Sequence, residues 1–262
     1  MSTPALSVSH VSKEFTLYHN RATALKTRFL GLFHADKRQR REQFQALTDI
    51  SFDVGQGQSL GLLGHNGSGK STLLQIIANI LTPTSGQVIA RGRIAPLIQL
   101  GVGFNPELTG YENVFLNASL YGFRNREVRK RLEAIVEFAE LSQFIDSPLK
   151  HYSSGMQMRL AFAVAVHLEP DIVLADEILS VGDQAFQEKC LAKIGELRRG
   201  GMTLLLVSHN PVQVNQFCDY YVRLEKGHVV DEGRIAHKSA KPAAATPASV
   251  RLVHPSPETR GP

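Results

Sequence analysis

Residues Ser59–Leu63 (SLGLL) run straight into Gly64-His65-Asn66-Gly67-Ser68-Gly69-Lys70-Ser71-Thr72. Helical spacing then begins at Lys70 and passes through Leu73, Leu74, Ile76, Ile77 and Ile80 until Pro83 stops it. A strand, a glycine-rich turn and a helix in that order form a phosphate loop of the pattern GxxxxGK[ST]. The glycines let the backbone curl so that successive amides face phosphate oxygens, and the helix adds the positive end of its dipole. Lys70 is then expected on the β- and γ-phosphates and the Ser71 hydroxyl on Mg²⁺. Nine consecutive residues, 64–72, become candidate nucleotide contacts.

A second stretch fits the same chemistry. Ile172-Val173-Leu174-Ala175-Asp176-Glu177 is an apolar strand that ends in two carboxylates. Open α/β sheets bind ligands beyond the carboxyl ends of their strands. Asp176 is therefore expected to hold Mg²⁺, and Glu177 to accept a proton from an attacking water. The NKxD pattern that reads guanine is missing, which favours ATP over GTP. Three shorter features accompany this pair. Tyr152-Ser153-Ser154-Gly155-Met156 opens a helix, where amides and the Ser153 hydroxyl make another anion site. Ser180-Val181-Gly182-Asp183 follows Glu177, and His209 ends a strand, near where a γ-phosphate would lie.

Around these residues the chain alternates strand and helix. Strands are predicted over 6–15, 50–63, 172–175 and 202–207, with a hairpin over 220–232 turning at Lys226-Gly227. Helices are predicted over 155–168 and 186–199 and through much of 105–149, with Asn125 as a cap. The fold class is thus α/β with a largely parallel sheet and a separate helical lobe. At 262 residues and 43% hydrophobic, one core with a subdomain is affordable. Cys190 and Cys218 make neither a disulfide framework nor a metal cluster. No stretch reaches the roughly 18 apolar residues of a membrane span, and the start lacks the layout of a signal peptide. The +5 charge is concentrated between Arg21 and Arg41, a block suited to anionic lipid or nucleic acid.

From about residue 6 to 234 the chain resembles the ATP-binding cassette family, with that family's elements in that family's order. The resemblance implies a P-loop NTPase fold with a RecA-like core, an antiparallel β-subdomain and a helical subdomain. It assigns Gln99, in Leu97-Ile98-Gln99-Leu100-Gly101, to the Q-loop beside Mg²⁺, and Asp183 to the D-loop. Ser153, Ser154 and Gly155 fall in the signature, which reads YSSGM here against the common LSGGQ. It also implies a head-to-tail homodimer in which each ATP lies between one copy's phosphate loop and the other's signature. Phe15 occupies the place of the family's adenine-stacking aromatic; Tyr18 is a competing candidate and core packing a rival role.

Three features look like the subgroup that exports bacterial surface polysaccharides such as O-antigen or teichoic acid. They are a basic insertion at about 17–45, the stretch 100–113 (LGVGFNPELTGYEN), and the variant signature continued to residue 164. That resemblance implies an ATPase at the cytoplasmic face of the bacterial inner membrane. Its partners would be a separate multi-span permease, in two copies, and a lipid-linked polysaccharide as cargo, with no nucleic acid expected. An importer ATPase, and a cassette ATPase acting on nucleic acid or ribosomes, are the alternatives. The expected organisation is a nucleotide-binding domain over 1–237, its helical subdomain at about 100–168, and a disordered Pro/Ala-rich tail over 238–262. Within the insertion, Leu25, Phe29, Leu32 and Phe33 share one helical face, a surface for membrane, permease or core.

Overall fold

The computed structural model describes residues 3–18, 41–98, 100–176 and 182–236. Gln99, Glu177, Ser180, Val181, the insertion helix and the tail lie outside the described residues.

The central element is a six-stranded sheet. Its strands are β3 (Ser59–Leu63), β5 (Ile94–Pro96), β6 (Ile172–Asp176), β7 (Thr203–Ser208), β8 (Tyr220–Glu225) and β9 (His228–Arg234), in the order β5-β6-β7-β3-β8-β9. Every pairing is parallel except the β8–β9 hairpin. The sequence dictates this burial on both faces, since β3 and β7 are apolar or small at nearly every position and are buried throughout.

Alternate residues of these strands feed two cores. Leu60, Leu62, Leu174, Leu205 and Val207 face helix α1 (Lys70–Ile77). The same core includes Leu6 and Val8 of β1 (Leu6–Tyr18) and Phe52 of β2 (Arg41–Val54). Val173, Ala175, Leu204 and Leu206 face the other way. There they meet Phe162 of α4 (Ser154–His167), Phe186 and Ile194 of α5 (Gln184–Arg199) and Val214 of α6 (Pro211–Phe217). Cys190 and Cys218 are buried in this second core, which pushes both thiols up to about 12.

The antiparallel sheet β2-β1-β4 adds β4 (Ser85–Ala90), which the sequence reading missed. This strand is a mostly exposed edge with no apolar alternation to betray it. The three-residue β5 was missed too; its Pro96 is tolerated because β5 is itself an edge. The stretch read as a strand over 50–63 is two strands, broken by a turn after Val54. Pairing also continues to Tyr18↔Arg41, so residues 41–45 of the supposed insertion are strand.

The helical lobe consists of α2 (Gly110–Leu120) and α3 (Asn125–Ala139) packed on α4. A capping box fixes the start of α2: the Thr109 hydroxyl accepts from the Glu112 amide (3.2 Å), and the Glu112 carboxylate accepts from the Thr109 amide (2.8 Å). The cap of α3 is Arg124 rather than Asn125, because Glu127 reaches back to the Arg124 amide at 2.9 Å. Helix α4 serves both lobes. Its Phe162, Ala165 and Val166 belong to the sheet core, and its Leu160, Ala163 and Val164 to the helical core. That is why its residues 160–166 are apolar and buried on all sides.

Gly61 of β3 has a specific task. A Cβ there would stand 2.2 Å from Val214 Cγ1, so glycine lets α6 lie against the strand. Gly61→Ala is expected to destabilise the fold by about 1–3 kcal/mol through overpacking. Val214→Ala in the same chain should return part of that loss. Denaturant midpoints of the two single variants and the double variant check the coupling.

Candidate nucleotide site

The phosphate loop leaves the carboxyl end of β3. Gly69 precedes α1 with φ of 103°, and a Cβ on it would stand 2.7 Å from the carbonyl oxygen of Ala46. Only glycine combines that backbone with that contact. Lys70 is nearly buried, and its ammonium donates to the carbonyls of Gly64 (2.7 Å) and His65 (2.9 Å). The cation is thus folded back onto the carbonyls of its own loop.

Register brings the other groups to the same edge. In the parallel ladders Leu63 pairs with Ser208, and Asp176 with Val207. Gly64 and His209 therefore leave neighbouring strands side by side, and Asp176 ends the next one. The turn after His209 is pinned by Ser208, whose hydroxyl donates to Gln213 (2.8 Å) and accepts from the Asn210 amide (3.0 Å). A cleft of about 600 Å³ opens over this edge. Asn66, Gly67, Gly69, Lys70, Ser71, Thr72 and Asp176 line it, with Ile98 at one side and Phe44 and Ala46 at another. Ser71 and Asp176 thus present a hydroxyl and a carboxylate to one space, hard oxygen donors of the kind Mg²⁺ takes.

The signature residues stand elsewhere. The Ser153 hydroxyl caps α4 by accepting from the Met156 amide (3.2 Å), and Ser153 and Ser154 are exposed. None of residues 153–155 lines the cleft of its own chain. Asp183 does not line it either. One oxygen of Asp183 caps α5 through the Phe186 amide (2.9 Å), and the other accepts from Arg159 (2.6 Å). Arg159 also donates to Glu140 (2.7 Å) and lies over the Phe186 ring.

Tyr152, where the family commonly has Leu, is buried and donates its hydroxyl proton to the Phe144 carbonyl at 2.6 Å. Sequence reasoning missed Phe44, because it assigned that residue to the insertion. The available signal was the i, i+2 spacing of Phe44 and Ala46 in an extended strand. Phe15 pairs with Phe44 across the β1–β2 ladder but does not line the cleft.

The family model described as ABC transporter matches residues 47–180. This chain belongs to the ABC transporter family. It is 44% identical over 230 residues to the O-antigen export system ATP-binding protein RfbB of Klebsiella pneumoniae, covering 88% of this chain and 94% of that protein. It is also 44% identical over 228 residues to the teichoic acids export ATP-binding protein TagH of Listeria monocytogenes, covering 87% of this chain and 66% of that one. Among solved structures, a dimeric ATP-binding cassette in a post-hydrolysis state with ADP and phosphate superposes with a TM-score of 0.67. That cassette is 26% identical, and the match covers 88% of this chain and 99% of the cassette. The ABC ATPase fold read from the sequence is the fold observed.

The Tyr152 hydroxyl bond predicts a stability effect confined to the helical lobe. Tyr152→Phe is expected to cost about 1 kcal/mol, because the Phe144 carbonyl keeps its bond from the Ser147 amide. Urea unfolding measures the loss, and nucleotide affinity should stay unchanged.

Proposed function

We propose that this chain is the ATP-hydrolysing subunit of an exporter that carries a lipid-linked cell-surface polysaccharide across the bacterial cytoplasmic membrane. The observation that carries the proposal is the cleft, which joins a phosphate loop to a strand-end carboxylate in a chain 40–46% identical to ATP-binding proteins, several of them named for O-antigen or teichoic acid export. Among the described residues no helix is long and apolar enough to cross a membrane, so a separate permease would supply the path. The ATPase would dock on that permease at the cytoplasmic face, in two copies.

In this reading the loop amides of residues 64–69 and the Lys70 ammonium hold the phosphates, while Ser71, Asp176 and Gln99 would hold Mg²⁺. The metal, when bound, would neutralise charge on the β- and γ-phosphates. Glu177, directly after Asp176, takes a proton as water oxygen attacks the γ-phosphorus and the bond to the bridging oxygen breaks. His209, emerging beside Gly64, contacts the γ-phosphate, and ADP and phosphate leave. The exposed tip of α4, with Ser153, Ser154 and Gly155, serves the partner copy's nucleotide. Asp183 acts on that site indirectly, since its carboxylate caps α5 and binds Arg159. The domain spans 1–237, with the tail at 238–262 outside it.

Lys70→Ala is expected to weaken ATP binding by at least about 100-fold, through the lost charge-assisted contacts. Calorimetric titration measures it. Glu177→Gln should bind ATP, hydrolyse it at least about 100-fold more slowly and accumulate a dimer in ATP and Mg²⁺, seen by size exclusion. Normal turnover in that variant removes Glu177 as the base. Ser153→Arg should leave ATP binding to the monomer intact yet abolish dimer formation. If the monomer loses ATP instead, the signature serves its own chain's cleft.

A further inference from the structure

We propose that Tyr152 is a positioning residue for hydrolysis: its hydroxyl, lodged in a notch left by Gly110, sets where the signature residues stand for the partner copy's nucleotide. The inference rests on the reading above that the tip of α4 serves the second copy, and adds what holds that tip.

Gly110 opens α2, and its φ is not positive, so the backbone does not ask for glycine there. Space does. A Cβ on Gly110 would overlap the Tyr152 hydroxyl oxygen and stand 3.1 Å from the Ile145 carbonyl oxygen. The notch and the phenol therefore explain each other. The leucine common at this place in the family has no hydroxyl to fill the notch or to reach Phe144. Here the ring is buried in the helical core, and its hydroxyl donates to the Phe144 carbonyl at 2.6 Å. Burial pushes the phenol up from its ordinary value, and the Asp146 carboxylate adds to the shift, so the group stays a donor throughout the neutral range.

The carbonyl it reaches belongs to two segments laced side by side. The amides of Gly110 and Tyr111 donate to the carbonyls of Ser147 (3.1 Å) and Ile145 (2.9 Å). In return the amides of Leu149 and Lys150 donate to the carbonyls of Leu108 and Pro106, both at 2.9 Å. Tyr152 closes this lacing, and the next residue, Ser153, is the cap of α4. Gln157, one turn into α4, donates to the Leu149 carbonyl at 3.3 Å and ties the helix to the same strip. The signature tip is thus aimed by backbone that the Tyr152 hydroxyl locks. An alanine at 110 would need that hydroxyl to retreat by about 1 Å, and a misplacement of that size can cost about 100-fold in rate.

The test uses the full chain carrying Glu177→Gln, with ATP-driven pairing read by sedimentation velocity in ATP and Mg²⁺. Gly110→Ala should raise the ATP concentration for half-maximal pairing by up to about 100-fold. The ATP affinity of the single chain, titrated calorimetrically in EDTA, should not change. Adding Tyr152→Phe to Gly110→Ala removes the oxygen that the new methyl meets, and should recover most of the loss. Tyr152→Phe alone should raise the ATP requirement roughly fivefold, the equivalent of one hydrogen bond. With Glu177 restored, kcat should follow the same order of variants. The proposal is overturned if Gly110→Ala or Tyr152→Phe pairs like the parent, or if the double variant is no better than Gly110→Ala. It is also overturned if single-chain ATP affinity falls in step with pairing, since the damage would then be to the fold at large. Failure of the underlying reading looks different: Glu177→Gln with Gly110 and Tyr152 intact would then not pair in ATP at all.

Discussion

Everything functional in this molecule depends on the parallel register of β3, β7 and β6. Because Leu63 is level with Ser208, and Val207 with Asp176, three strands finish at one edge of the sheet, from which a loop, a histidine and a carboxylate emerge. A shift of one residue in any pairing would exchange side chains between the two cores and carry Asp176 or His209 out of place. The register is held by burial on both faces of strands with almost no polar residue to spare. The chemistry at the edge therefore sits at the ends of strands buried on both faces.

The second constraint is the sharing of α4. This helix inserts alternate side chains into the sheet core and the helical core, so the signature at its tip is fastened to both lobes. Phe138 of the helical lobe lies against Phe162 and Phe186, with ring centroids 6.2 and 5.6 Å apart, and Lys189 lies over its ring. Arg159 ties the same helix to Glu140 in one lobe and Asp183 in the other. Exposed ion pairs contribute little stability, but a partly buried guanidinium bridging two carboxylates fixes geometry. A shift of the helical lobe would thus be felt at Asp183, six residues after Glu177.

The sequence was most legible where one physical cause acted alone. The phosphate loop, the buried strand ending in Asp176 and the order of strands and helices could be read because backbone curl, two-faced burial and period each leave a plain signature. Legibility failed where partners set the outcome. Strand β4 is polar and short, and it forms because β1 offers an edge. The extension of β2 back to Arg41 hides in a basic stretch that composition marks as loop. Phe44 was overlooked for that reason. Asp183 was readable from the sequence only as a D-loop residue; that its two oxygens meet a helix cap and an arginine is a spatial fact no local pattern encodes.

The proposed task of this cleft is to power export of a lipid-linked surface polysaccharide. The most direct measurement deletes the chain from its native cell and quantifies polysaccharide on the surface and on its lipid carrier inside. Surface polymer should be lost while lipid-linked polymer accumulates at the cytoplasmic leaflet, with rescue by the wild-type chain but not by Lys70→Ala. Unchanged surface polysaccharide in the deleted cell, with no internal accumulation, would contradict it.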